Sequence, residues 1–128
     1  MGERIPVHVV TGTDGAGEMI ARLCAAKTGW VGLVSTPPSS PIPNVRAIAA
    51  GCPCCTGRVV LQISLVRALR EMRAERAFVE VSEGHAASLE RVLAEPPLGL
   101  SVIAARRIRL PRDAALSSSD LEDPGRPA

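Results

Sequence analysis

Aromatic side chains are almost missing from this chain: Trp30 and Phe78 supply the whole aromatic content of 2%, and there is no tyrosine. A core must therefore be assembled from Val, Leu, Ile and Ala, and the aromatic platforms on which single-stranded nucleic acids stack are excluded. Long apolar runs are missing too. The opening MGERIPVHVV has a short apolar stretch without the h-region of a signal peptide, and no stretch approaches the ~20 residues that cross a bilayer, so a cytoplasmic protein with no membrane partner is expected. Gly2 would suit myristoylation, but Pro6 stands where that signal needs Ser or Thr. Charge of one sign is also lacking, since 15 basic and 13 acidic residues leave a net +2. Arg67, Arg70, Arg73 and Arg76 are interrupted by Glu71 and Glu75, with Arg67 and Glu71 spaced to pair. That set, like Arg106, Arg107 and Arg109, reads as a solvated face, so nucleic acid is not an expected partner.

What is present suffices for one modest core. The 128 residues are 46% apolar and 22% charged, as in ordinary globular domains. Ile5 to Thr11 reads as a β-branched strand, followed by glycines at 12, 15 and 17 and a helix over Glu18 to Thr28 that Gly29 ends. In that helix Cys24 is expected to pack against the sheet. Val31 to Ser35 reads as a second strand, and the four prolines between Thr36 and Asn44 mark a loop. Val45 to Ala49 is a short strand, and Val59 to Glu75 is a helix with Leu61, Leu65, Leu69 and Met72 on one face. Phe78 to Val81, Ala86 to Ala94 and Leu100 to Ala105 complete a strand, a helix and a last strand. This alternation predicts an α/β domain over 1–110, with a parallel sheet of about five strands flanked by helices. The Ser-, Pro- and acid-rich segment 111–128 reads as a disordered tail.

Two features carry chemistry. Gly12-Thr13-Asp14-Gly15-Ala16-Gly17 fits the frame of a phosphate-binding loop, GxxxxGK(S/T), whose backbone amides wrap a polyphosphate. The lysine position, however, holds Glu18 and the magnesium-binding hydroxyl position holds Met19, so GTP and magnesium binding is not expected to be tight. A tight turn into a helix, with Glu18 matching the helix dipole, is the other reading of these glycines. The second feature is Gly51-Cys52-Pro53-Cys54-Cys55, which holds three of the four cysteines. Neighbouring cysteines are poorly placed for separate structural disulfides, whereas three thiolates suit zinc or a similar soft divalent ion and leave one tetrahedral position open. Unliganded or oxidised thiols are the alternative. His85, Glu83 and Glu80 lie past a strand at the edge where sites gather in open parallel sheets, and His85 is the best fourth ligand by its chemistry. Ser82, Glu83 and His85 have a hydrolase composition but sit close together in sequence.

IPVHVVTGTDGAG resembles the opening of the CobW-type GTP-binding metallochaperones, and GCPCC resembles their GCxCC metal motif. Phe78-Val79-Glu80-Val81-Ser82-Glu83-Gly84-His85 is similar to a third family segment, with its glycine shifted. The likeness runs from about Ile5 to Ala105. It implies a P-loop NTPase-like fold and a metallochaperone function, with Cys52, Cys54 and Cys55 as metal ligands. The departures are as specific. Ser35-Thr36-Pro37-Pro38 replaces the acidic switch segment, Arg46-Ala47-Ile48-Ala49-Ala50 lacks the usual acid before the cysteines, Ala104 stands in for an aspartate, and no NKxD follows. The expectation is a degenerate, truncated member: a pseudo-GTPase domain that binds or transfers zinc. Two alternatives stay open. One is a weakly GTP-hydrolysing metallochaperone. The other is an interaction module, homo-oligomeric or paired with a full-length relative or a metal-recipient protein.

Overall fold

The computed structural model describes residues 4–12, 16–34, 44–47, 57–95, 98–110, 112, 113, 115, 116 and 121. Its strands are β1 (Ile5–Thr11), β2 (Trp30–Val34), β3 (Val45–Ala47), β4 (Arg76–Glu80), β5 (Val102–Ala104) and β6 (Ile108–Arg109). Its helices are α1 (Ala16–Ala26), α2 (Gly57–Glu71) and α3 (Ala86–Ala94). The strands run parallel in the order β3-β2-β4-β1-β5, with β6 pairing β1 beyond β5. The α/β class and parallel sheet expected from the sequence are therefore present, in a P-loop-like arrangement with β1 between β4 and β5.

Each strand of the centre is buried on both faces, which is why β1 and β2 read as continuous apolar runs instead of alternating ones. Odd residues of β1, Val7 and Val9, face a cluster with Leu65 and Leu69 of α2 and Leu89, Val92 and Leu93 of α3. On the opposite face Val10 and Phe78 meet Met19, Ile20, Leu23 and Cys24 of α1. Burying each such side chain stabilises the fold by about 1.5–3 kcal/mol, so two helices on one face and one on the other account for a three-layer sandwich.

The ends of the elements have local causes. Gly12 and Gly29 both take positive φ, +141° and +88°, where a side chain would be strained. At Gly29 the carbonyl then accepts the amides of Glu75 and Arg76 at 2.7 and 3.3 Å, stitching the end of α1 to the start of β4. Helix α2 closes in a Schellman motif, with Ala74 N donating to Leu69 O at 3.0 Å and Arg73 N to Arg70 O at 3.2 Å. The left-handed position of that motif is Arg73, at φ +52°, where glycine is the usual occupant.

One sequence expectation needs correction, and two features go beyond the sequence reading. The strand expected over Leu100 to Ala105 is present as β5, and a further short strand, β6, follows it beyond Arg106 and Arg107, which are held toward opposite faces as described below. Glu71 pairs with Arg46 of β3 at 2.6 Å instead of with Arg67, because the end of α2 lies beside that strand. In the 111–128 segment, of which residues 112, 113, 115, 116 and 121 are described, Leu116 is half-buried and Leu121 is only 6% exposed against the α1 face. Among the described residues, no helix is long and apolar enough to cross a membrane.

Candidate functional site

In a parallel sheet the carboxyl ends of the strands form the edge where ligands gather, most of all where neighbouring strands send their connections to opposite faces. Here β1 continues into α1 on one face and β4 into α3 on the other, so the switch point lies between Thr11 and Glu80. The glycine loop leaves β1 at this place. Of its residues Gly12, Ala16 and Gly17 are described, while Thr13, Asp14 and Gly15 lie outside the described residues, as do Cys52, Cys54 and Cys55.

The two positions that depart from the phosphate-loop pattern have different fates. Glu18 is exposed in the first turn of α1, where its charge suits the helix dipole. Met19 is 5% exposed and sits in the core cluster with Ile20, Leu23 and Phe78. A side chain committed to that cluster is not free to face a magnesium ion. Gly12 is pressed closely as well: a Cβ there would lie 2.8 Å from Leu110 Cβ, and Leu110 N donates to Thr11 O at 2.9 Å. The segment after β6 thus packs directly on the base of the loop. Beside it Thr11 Oγ1 is fully buried without a hydrogen-bond partner among the described residues, a feature that the strand pattern alone does not signal.

Past β4, a 3-10 turn over Glu83–His85 leads into α3. His85 occupies the N-cap of α3 and is half-buried, with Nδ1 2.7 Å from Ser82 Oγ. When Nδ1–H donates to that hydroxyl, Nε2 keeps its lone pair for another partner. Ser82 and Glu83 are exposed, and no third residue completes a triad among the described residues. Nor do the described residues contain a group of three or more His, Cys, Asp and Glu able to hold a metal ion, a set that excludes the motif thiols. Cys24, by contrast, is 1% exposed in α1, and burial pushes its thiol up to about 12, so it is a packing residue as expected from its helical position.

A second polar group lies inside the sheet, where sequence reading placed only a strand. His8 is 2% exposed on the α1 face of β1, stacked on Phe78 with centroids 5.0 Å apart. A guanidinium can only donate, so the 2.7 Å contact from Arg76 to His8 Nε2 makes that nitrogen the acceptor. The proton therefore sits on Nδ1 and is donated to Arg106 O at 2.8 Å. Burial first, opposed by that backbone bond and reinforced by the nearby Arg76 and Arg106 charges, lowers the imidazole from 6.5 to about 4. Arg76 also lies over the Trp30 ring, 5.3 Å from its centroid.

Of the arginines read as a solvated face after β5, Arg106 and Arg109 are exposed and Arg107 is half-buried. Arg107 grips Glu90 of α3 through Nε at 3.1 Å and through a second nitrogen, and Arg106 lies 3.7 Å from Asp113. Asp113 in turn accepts the amide of Arg109 at 2.9 Å. These pairs join residues that are 4 to 17 apart, which charge counting along the chain does not resolve.

Comparison of the chain with family models, with curated proteins and with solved structures finds no match in any of the three.

Proposed function

We propose that the chain is a nucleotide-incompetent relative of the CobW-type proteins that binds a thiophilic divalent metal, zinc foremost, through Cys52, Cys54 and Cys55 in a reducing compartment such as the cytoplasm. The observation that carries this reading is the combination of Gly51-Cys52-Pro53-Cys54-Cys55 with a glycine loop whose two ligand-binding side chains are Glu18 and Met19. Three thiolates in four residues are a metal-binding set, and a carboxylate about 4 Å from a phosphate charge is repulsive by roughly 4 kcal/mol at an effective dielectric near 20. The core position of Met19 supports the loss of magnesium binding, and the exposed charge of Glu18 supports the loss of phosphate binding.

His85 is the proposed fourth ligand, through Nε2, with Ser82 fixing the ring through Nδ1 in the way that outer-shell hydrogen bonds orient metal-ligating histidines. Transfer of the metal to a recipient protein or a full-length relative is the expected role of such a site.

Protein purified under reducing conditions should carry close to one zinc per chain by elemental analysis, and the Cys52→Ser, Cys54→Ser, Cys55→Ser triple variant should carry none. His85→Ala should weaken affinity without abolishing binding. Metal-free protein with no measurable zinc affinity would sink the reading. Calorimetry with Mg-GTP should give no saturable heat at millimolar nucleotide, and a saturable heat would restore the GTP-binding alternative.

A further inference from the structure

At the sheet edge opposite the candidate site, the end of α2 and the starts of β1 and β5 enclose a half-open groove of about 140 Å³. Its floor is apolar, made by Ile5, Val66, Leu69 and Ala74, and its rim carries Arg70, Arg73 and Ser101. Among the described residues no carboxylate lines it. The acidic neighbours of the two arginines are turned elsewhere: Glu71 is paired with Arg46 at 2.6 Å, and the Glu75 carboxyl lies over Gly29, where an added Cβ would come 2.4 Å from Oε2. Neither Arg70 nor Arg73 has a side-chain partner among the described residues.

Arg73 adds a second, independent observation. It occupies the left-handed position of the Schellman motif at φ +52°, where glycine closes a helix at lower cost and a side chain is disfavoured. Observed backbone strain of this kind is a pointer to use at a site. Here the strained residue brings a guanidinium to the rim of the groove whose floor is formed by the same motif's Leu69 and Ala74.

We infer that this groove is a binding site for a small aliphatic carboxylate, with the alkyl part on Ile5, Val66, Leu69 and Ala74 and the carboxylate held by Arg70 and Arg73. Charge complementarity selects the anion, since arginine forks match carboxylates in two-point contacts. The apolar floor selects against acetate or phosphate, which bring charge without a chain. The volume, close to that of a cavity that holds benzene, fits about six carbon atoms.

The test uses the full chain and hexanoate as the probe, followed by amide NMR shifts and calorimetry. Hexanoate should shift the amides of Ile5, Leu69 and Ser101 and saturate with a Kd of about 1 mM, as expected of so small a ligand. Acetate, inorganic phosphate and hexylamine should each bind at least about tenfold more weakly, and Arg70→Gln and Arg73→Gly should each weaken hexanoate about tenfold. Arg73→Gly relieves the left-handed strain and should raise the urea midpoint, so weakened binding by that variant cannot be ascribed to unfolding. Equal binding of acetate, shifts confined to other residues, or unchanged affinity in both variants would overturn the proposal.

Discussion

Acid should weaken this fold through His8 before most carboxylates titrate. The imidazole is neutral in the folded chain, with its value lowered from 6.5 to about 4, so the unfolded state binds the proton more readily between these values. Above the unfolded value the group is neutral in both states and costs nothing. As pH falls from 6.5, the unfolded chain gains protons that the folded chain refuses. The loss reaches roughly 2 kcal/mol near pH 5 and levels off at about 3 kcal/mol below the folded value, on the order of 1.4 kcal/mol for each pH unit of separation. On a marginal stability of about 5–15 kcal/mol this is a large share. Urea midpoints measured from pH 7.5 to about 5 should therefore fall steeply in the wild type. His8→Asn should start from a lower stability at neutral pH and show a flatter slope across the same window, since the substitution removes only the imidazole. An NMR titration of the His8 ring should show no protonation above about pH 5 in the folded state. Equal slopes in the two proteins, or a His8 resonance that titrates near 6.5, would refute the buried acceptor geometry.

Two further substitutions follow from the packing. Thr11→Val replaces a buried hydroxyl that lacks a partner with a methyl of the same shape, and thermal or urea unfolding should show a gain of about 1 kcal/mol, whereas a loss would reveal a bonded hydroxyl. Gly32→Ala in β2 should lower stability by about 1–3 kcal/mol in the same assay, since the new Cβ would lie 2.2 Å from Ile20 Cγ2 and 3.3 Å from Cys24 Sγ, and unchanged stability would show that α1 can move away freely.

The parts of the fold that could be read along the chain are those whose signal is local. Val7, Val9 and Val10 announce β1, Leu89, Val92 and Leu93 announce α3, and Gly29 announces the end of α1. Strand β6 is two residues long and carries no period at all; it exists because Ile108 can bury itself beside Val10. His8 is polar among the valines of β1, and its partner Arg106 is 98 residues away, so its burial depends on a contact that no sequence window spans. Glu71 follows the same rule, since its Arg46 partner comes from a strand 25 residues earlier. For the candidate site, the motif residues were legible by their types and spacing. The core role of Met19 was not, because a methionine at the start of a helix has no pattern that separates packing from exposure.

Consecutive residues Arg106 and Arg107 are held from opposite sides of the sheet, the first by its carbonyl to His8 on the α1 face and the second by its guanidinium to Glu90 of α3. The link between β5 and β6 thus works as a rivet through the three layers. Pulling α3 outward loads the same backbone that His8 grips, so the two halves of the sandwich resist shear as one body. Proton uptake at Nε2 leaves the Nδ1 grip on Arg106 in place and sets two cations against each other at Arg76, so acid loads this rivet from the other side of the ring.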